Sequence, residues 1–273
     1  MNNAVAQRPA NNLATLQQLL LTHKDQIAMA LPKHLTPERM IRVALTAVSR
    51  TPELQKCSPI SVAACVVQSS ILGLEPEAAL GEAYLIPFKN QCQLVIGYKG
   101  LVKLVRNSGQ LSTINAAVVR QNDTFEFEDG LYPKLIHKKP TPFATAKERG
   151  DVIGYWAGAL LKDGSQQFVV MGKGEVEEHR RKYSKAANSG PWVNEFDAMA
   201  LKTCIRKLCK FLPQSVEVQT AVALDEQAET GVAQMFASAV PTDLVPEAEP
   251  DADDEMPKAI EATAVEQPSL INA

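Results

Sequence analysis

The chain of 273 residues is 45% hydrophobic and carries 28 Lys and Arg against 31 Asp and Glu, with five cysteines. This suffices for one large or two small globular domains, while no apolar run approaches the roughly 18 residues of a membrane span and nothing reads as a secretion signal. An odd number of cysteines without a C-x-x-C pair (Cys57, Cys65, Cys92, Cys204, Cys209) fits a reducing cytoplasm and inert buried thiols, not disulfides or redox chemistry.

The near balance of charge conceals an asymmetry. From Asp225 to Ala273 there are 12 acidic residues and one Lys, whereas residues 1–224 hold 27 Lys and Arg against 19 Asp and Glu, a net charge of +8. The last segment is rich in Pro, Ala and Val and has a dense Asp251, Asp253, Asp254, Glu255 cluster, a composition too poor in core-forming side chains to fold. The expected organisation is a flexible N-terminus over residues 1–12, a basic core over 13–224 (helical to 75, α+β from 76), and a disordered acidic tail over 225–273. A basic body makes a polyanion the default partner.

In chain order, Leu13 to Leu31 is amphipathic and stopped by Pro32. Thr36-Pro37-Glu38 supplies an N-cap, a first-position proline and an early carboxylate for a helix to about Thr51. Ser58-Pro59 repeats the device for a third helix, ended by Gly73, a natural left-handed cap. The period then changes: Ala83–Phe88 and Gln91–Tyr98 read as a hairpin turning at Lys89-Asn90, followed by a helix from Lys99 to about Ser108. Strands are predicted over 111–122, 124–128, 151–162 and 166–171, the last pair joined by Asp163-Gly164. Helical spacing returns over 174–185 and 194–212, and Pro213 precedes a final short helix. The fold class is α+β, a small antiparallel sheet with flanking helices.

Motifs for covalent chemistry are missing. Gly172-Lys173 has Gln167 where a P-loop needs its first glycine. His23, His34, His137 and His179 are scattered without zinc-ligand spacing, no [DE]-x-K tripeptide occurs, and the Glu126, Glu128, Asp129 group before Gly130 reads as a solvated turn. No G-x-S-x-G motif is present. The residues argue for binding without bond breaking, and no cofactor is expected to be required.

Basic groups recur at helical spacing. Lys99, Lys103 and Arg106 line one face of a helix whose N-terminus, near Gly97 to Gly100, offers free N–H groups and a positive dipole end beside Tyr98. Lys202, Arg206 and Lys210 follow at intervals of four with Lys207 alongside. Between the two helices, Arg180 to Lys185 and Asn188 to Trp192 mix charge, hydroxyls and aromatics as single-strand binders do. Trp192 is equally a core anchor by its context, and either basic ridge taken alone could be a solvated helix face.

Several successive segments resemble the RecT family of phage and prophage annealing recombinases in order and spacing: Pro32–Arg42, Leu72–Pro76, Ala83–Phe88, Leu94–Gly100, Ser184–Ala186, Gly190–Trp192 and the Lys202–Lys210 helix ending Leu212-Pro213. The match spans roughly residues 30 to 224. The resemblance implies an ATP-independent, cytoplasmic protein of homologous recombination and DNA repair that assembles into rings or filaments, coats single-stranded DNA and pairs complementary strands into duplex. It implies a partner exonuclease, work on strands covered by the host single-strand-binding protein, and a sheet crossed by a long helix. By this carry-over Lys99, Lys103, Arg106, Lys185, Lys202, Arg206, Lys207 and Lys210 are expected at phosphates, with Arg120, Tyr98 and Trp192 as further DNA-contact candidates and Mg2+ as an aid to annealing. A passive strand-coating protein is the alternative; a nuclease and an oligomeric scaffold are rivals of other classes.

Overall fold

A computed structural model describes residues 10–33, 35–77, 79–213 and 215–234. The N-terminus to residue 9 and the acidic segment from residue 235 lie outside these, as do His34, Ala78 and Gln214.

The helical region is built by its caps. Thr36, extended at φ −114 and ψ 145, accepts the Arg39 N–H on Oγ1 at 3.3 Å, and Pro37 takes the first position of α3 (Pro37–Arg50), as the spacing predicts. Pro59 likewise takes the first position of α4 (Pro59–Leu72), but the Ser58 side chain makes no cap hydrogen bond; Gly73 at φ 66 closes the helix. Helix α4 is buried around most of its circumference, packed by α1 (Ala10–Thr22), α2 (Lys24–Ala30) and the second strand. The single helix expected from Leu13 to Leu31 is two. The chain leaves helical geometry at His23 (φ −95, ψ 15), where the Thr22 hydroxyl donates back to the Gln18 carbonyl at 2.9 Å and competes with the helical ladder.

Among the described residues seven strands make three small antiparallel sheets. Strands β1 (Ala83–Phe88) and β2 (Gln91–Ile96) pair through a turn with Lys89 at φ 52, and α5 (Tyr98–Asn107) follows at once. Strands β3 (Leu111–Arg120), β6 (Val152–Leu161) and β7 (Gln166–Gly172) form a sheet in the order β3-β6-β7, with Gly164 at φ 88 in the predicted Asp163-Gly164 turn. Between β3 and β6 lie a hairpin of β4 (Thr124–Glu128) and β5 (Lys134–Lys138) and the one-turn α6 (Ala146–Arg149). Strand β5 was not predicted.

Helices α7 (Lys173–Tyr183), α8 (Pro191–Asn194), α9 (Phe196–Cys209) and α10 (Val216–Thr230) complete the chain. Helix α9 lies across all three strands of the larger sheet, so Tyr155, Ala157 and Met171 from the sheet and Ala200, Cys204 and Leu208 from the helix share one core. All five cysteines are buried thiols outside any disulfide, and burial pushes the Cys204 and Cys209 thiols up to about 12.

The expected tail boundary after Leu224 falls inside α10. Asp225, Glu226 and Glu229 belong to that helix, and beyond Gly231, which is left-handed at φ 68, the chain is tied to β2. There the Gln93 amide donates to the Val232 carbonyl at 2.9 Å, while Gln234 accepts the Leu94 N–H at 2.7 Å and donates to the Leu94 carbonyl at 2.9 Å. The change of sign at residue 225 separates the two halves of an ion-pair network, not two domains.

Candidate nucleic-acid interface

Helix α5 places Tyr98, Lys99, Lys103 and Arg106 around one shallow concavity together with Glu82, Val102 and Asn107. Its apolar positions Leu101, Leu104 and Val105 are buried, which turns the i, i+4, i+7 cations outward. Lys103 is neutralised by Glu82 (Nζ–Oε2 2.8 Å). Lys99 and Arg106 are exposed and have no ion-pair partner among the described residues.

The expectation of free N–H groups near Gly97 to Gly100 needs correction at Gly97. The Gly97 N–H donates to the Glu82 carbonyl at 2.9 Å, and a Cβ on Gly97 would stand 2.1 Å from the Gly81 carbonyl oxygen, one on Gly100 2.2 Å from that of Glu82. These glycines serve close backbone packing.

The second predicted ridge is also reassigned. Lys202 Nζ lies 2.6 Å from Asp225 Oδ1, and Arg206 Nη1 lies 3.1 Å from Asp225 Oδ2. Arg206 Nη2 also pairs with Glu229 and approaches His179 Nε2 at 3.2 Å. Burial raises the Glu229 carboxyl, but the His179 hydrogen bond and the Arg206 charge outweigh it and hold the group at about 2. With its side chain 5% exposed, Arg206 is a structural cation joining α7, α9 and α10. A buried guanidinium needs such partners, and none of its surface is left for DNA. Lys202, 14% exposed, is likewise committed to Asp225. Lys210 pairs with Glu226 at 2.6 Å in the open, both about half exposed, a contact weak enough to exchange for phosphate. Lys207 is half-buried with no ion pair among the described residues.

Trp192, a stacking candidate by sequence, is 2% exposed and packs against Phe196 with ring centroids 5.7 Å apart. It is a core anchor: Pro191 starts the short α8 and turns the indole inward. Lys185 is exposed, and its N–H caps α10 by donating to the Glu229 carbonyl at 3.0 Å. Arg120 spends one N–H on the Gly150 carbonyl at 2.8 Å and lines a second concavity with Lys173, Arg180, Asp151, Glu177 and Asp197.

The expected DNA-contact residues therefore divide. Lys99, Arg106 and Lys185 are uncompensated surface cations, Lys103 and Lys210 are paired but accessible, and Lys202, Arg206 and Trp192 build the interior. Arg181 and Lys182 on α7 are exposed, with Lys182 Nζ 5.2 Å from the Tyr183 ring centroid. The run Arg180 to Lys185 signalled them, but no spacing argument separated them from the helix face that packs inward through Val176 and His179.

By fold and site this is an α+β protein whose α5 concavity holds three cations to one carboxylate, while the Arg120 concavity is balanced at three and three. Comparison with known proteins specifies it: the RecT family model matches residues 38–238. Protein RecT of Escherichia coli K12 is 47% identical over 212 residues, 75% of this chain and 77% of that protein. An uncharacterized protein of Bacillus subtilis 168, YqaK, is 33% identical over 175 residues, and the match spans 64% of this chain and 59% of YqaK. The chain belongs to the RecT family.

Proposed function

We propose that this protein binds single-stranded DNA and anneals complementary strands without ATP, as an oligomer acting in homologous recombination. The observation that supports this reading is the α5 concavity, where Lys99 and Arg106 stand uncompensated beside the exposed Tyr98 in a member of the RecT family. Cations hold the first strand by its phosphates and leave the base edges free, so base pairing itself supplies sequence specificity. Tyr98, 41% exposed, offers a ring on which a base can stack. Arg181, Lys182 and Lys185 are further exposed cations suited to phosphates. Arg206 and Lys202 act by positioning α7 and α10 and touch no DNA.

In this reading Mg2+ works on the nucleic acid, screening repulsion between two backbones. An exonuclease that exposes the strand and the host single-strand-binding protein are the partners the function calls for, in the cytoplasm of a bacterium carrying the phage or prophage. Among the described residues no helix is long and apolar enough to cross a membrane.

The test is annealing of two complementary labelled oligonucleotides without ATP, titrated with Mg2+, comparing the intact chain with Lys99→Ala/Arg106→Ala. Acceleration that is lost in the variant supports the reading. Binding without acceleration identifies a passive coating protein instead, and shortened strands identify a nuclease.

A further inference from the structure

The β4–β5 hairpin ends in an apolar tip with no cover. Leu131 and Tyr132 are 94% and 93% exposed, and the adjoining Glu126, Glu128 and Asp129 are exposed without an ion-pair partner among the described residues. The base of the hairpin is fixed. Trp156 Nε1 donates to His137 Nδ1 at 2.9 Å, His137 Nε2 lies 3.0 Å from Asp123 Oδ2, and Arg149 clamps Asp123. The buried Asp123 carboxylate makes the Nε2–H donor tautomer the one that satisfies both contacts. A two-stranded ribbon is marginal alone, so this anchoring holds a tip that the chain's own core does not use.

On the helical region, α1 and α3 leave an open groove with an apolar floor of Leu13, Leu21, Ile41 and Leu45, rimmed by Lys24, Arg42 and Arg50. Lys24 is paired with Glu38 at 2.7 Å, while Arg42 and Arg50 are exposed and have no ion pair among the described residues. The groove is basic-rimmed and the tip acid-flanked. The two surfaces are complementary, and they belong to different parts of one chain.

We propose that the β4–β5 tip of one subunit docks into the α1–α3 groove of a second copy, with Leu131 and Tyr132 on the apolar floor and Glu128 and Asp129 facing Arg42 and Arg50. Such a contact is heterologous: each copy keeps one free tip and one free groove, so assembly continues until a ring closes or a filament grows. The inference rests on the oligomeric part of the proposed function and gives it a surface.

Two measurements on the full chain test it, neither of which reads annealing. Tyr132→Cys/Thr46→Cys, oxidised with and without an oligo(dT), is expected to give a ladder of covalent oligomers. A mixture of the two single variants should stop at a covalent dimer, and each single variant alone should give none; the five native thiols are buried. In sedimentation, Leu131→Asp/Tyr132→Asp should lose the large assemblies while its thermal unfolding is unchanged, and mixing it with Leu45→Asp should restore heterodimers only. An intact chain that stays monomeric, a missing ladder, or undiminished assembly in the tip variant overturns the proposal. So does a tip variant that assembles normally but loses DNA binding, which makes the tip a DNA contact. A ladder without annealing would sink the functional reading and leave the interface standing.

Discussion

Arg206 and Asp225 meet 3.1 Å apart with side chains 5% and 1% exposed, so a cation from the stretch that looks most like a DNA ridge is locked to the first residue of what composition marks as an acidic tail. Removing one member of a buried pair strands the other's charge, at a typical cost of about 3–5 kcal/mol. Asp225→Ala and Arg206→Ala should each lose up to that much in denaturant unfolding, because Arg206 keeps Glu229 and Asp225 keeps Lys202. The double variant should lose clearly less than the sum, because the stranded charge is gone.

Lys99 and Arg106 are predicted to act on DNA with little effect on the fold. Each phosphate contact to a single strand contributes about 0.7 to the slope of log K against log salt. Lys99→Ala/Arg106→Ala should flatten that slope by about 1.4, with unfolding free energy changed by no more than about 0.5 kcal/mol. A slope equal to that of the intact chain would place the DNA elsewhere.

The helix starts at Pro37 and Pro59, the Gly73 cap and the two tight hairpins were legible because each depends on chemistry local in sequence: a hydroxyl, a fixed φ, a glycine or a two-residue turn. Strand β5 was not, since Lys134–Lys138 has no clean alternation and is held in place by His137 reaching Trp156 and Asp123, contacts made only after folding. The basic periodicity on α9 was visible, but its direction was not. Helical spacing places Lys202, Arg206 and Lys210 together, whereas the carboxylates that claim them sit on the next helix. The sign change at residue 225 misled for the same reason: charge counted along the chain does not reveal charge paired across it.

Glu229 ties stability to pH. Its carboxyl is held at about 2 in the folded chain against about 4.3 when unfolded. The group thus contributes stability that is fully present above about pH 4.3 and is lost as pH falls through about 2. Integrated over that shift the contribution is roughly 3 kcal/mol. Glu229→Gln should be less stable than the parent at pH 7 by up to that amount, and the two unfolding curves should converge by about pH 2. A gap that persists unchanged at low pH would assign the loss to packing.

Two glycines should respond oppositely to the same change. At Gly97 a Cβ would stand 2.1 Å from a backbone oxygen, which cannot swing aside, so Gly97→Ala should cost about 2 kcal/mol or more and disturb the α5 concavity. At Gly174, in the first turn of α7, nothing lies within 4 Å. Gly174→Ala should therefore raise stability by up to about 1 kcal/mol through reduced backbone entropy in the unfolded chain. Thermal melts of the two variants check both signs.

Two truncations separate the folded acids from the remaining ones. Ending the chain at Leu224 removes Asp225 and Glu229, leaves Arg206 buried without its carboxylates, and deletes the Gln234 contacts to Leu94; it should abolish cooperative unfolding. Ending it at Gln234 keeps all of these and removes nine acidic residues and one Lys. The resulting chain should melt like the parent. If the removed segment competes with DNA for Lys99 and Arg106, it should also bind a single-stranded oligonucleotide more tightly at low salt, with the difference shrinking as salt screens the competition. Equal affinity at every salt concentration would show that the acidic segment does not compete for this surface, leaving partner docking as the role to be measured by mixing with the partner exonuclease.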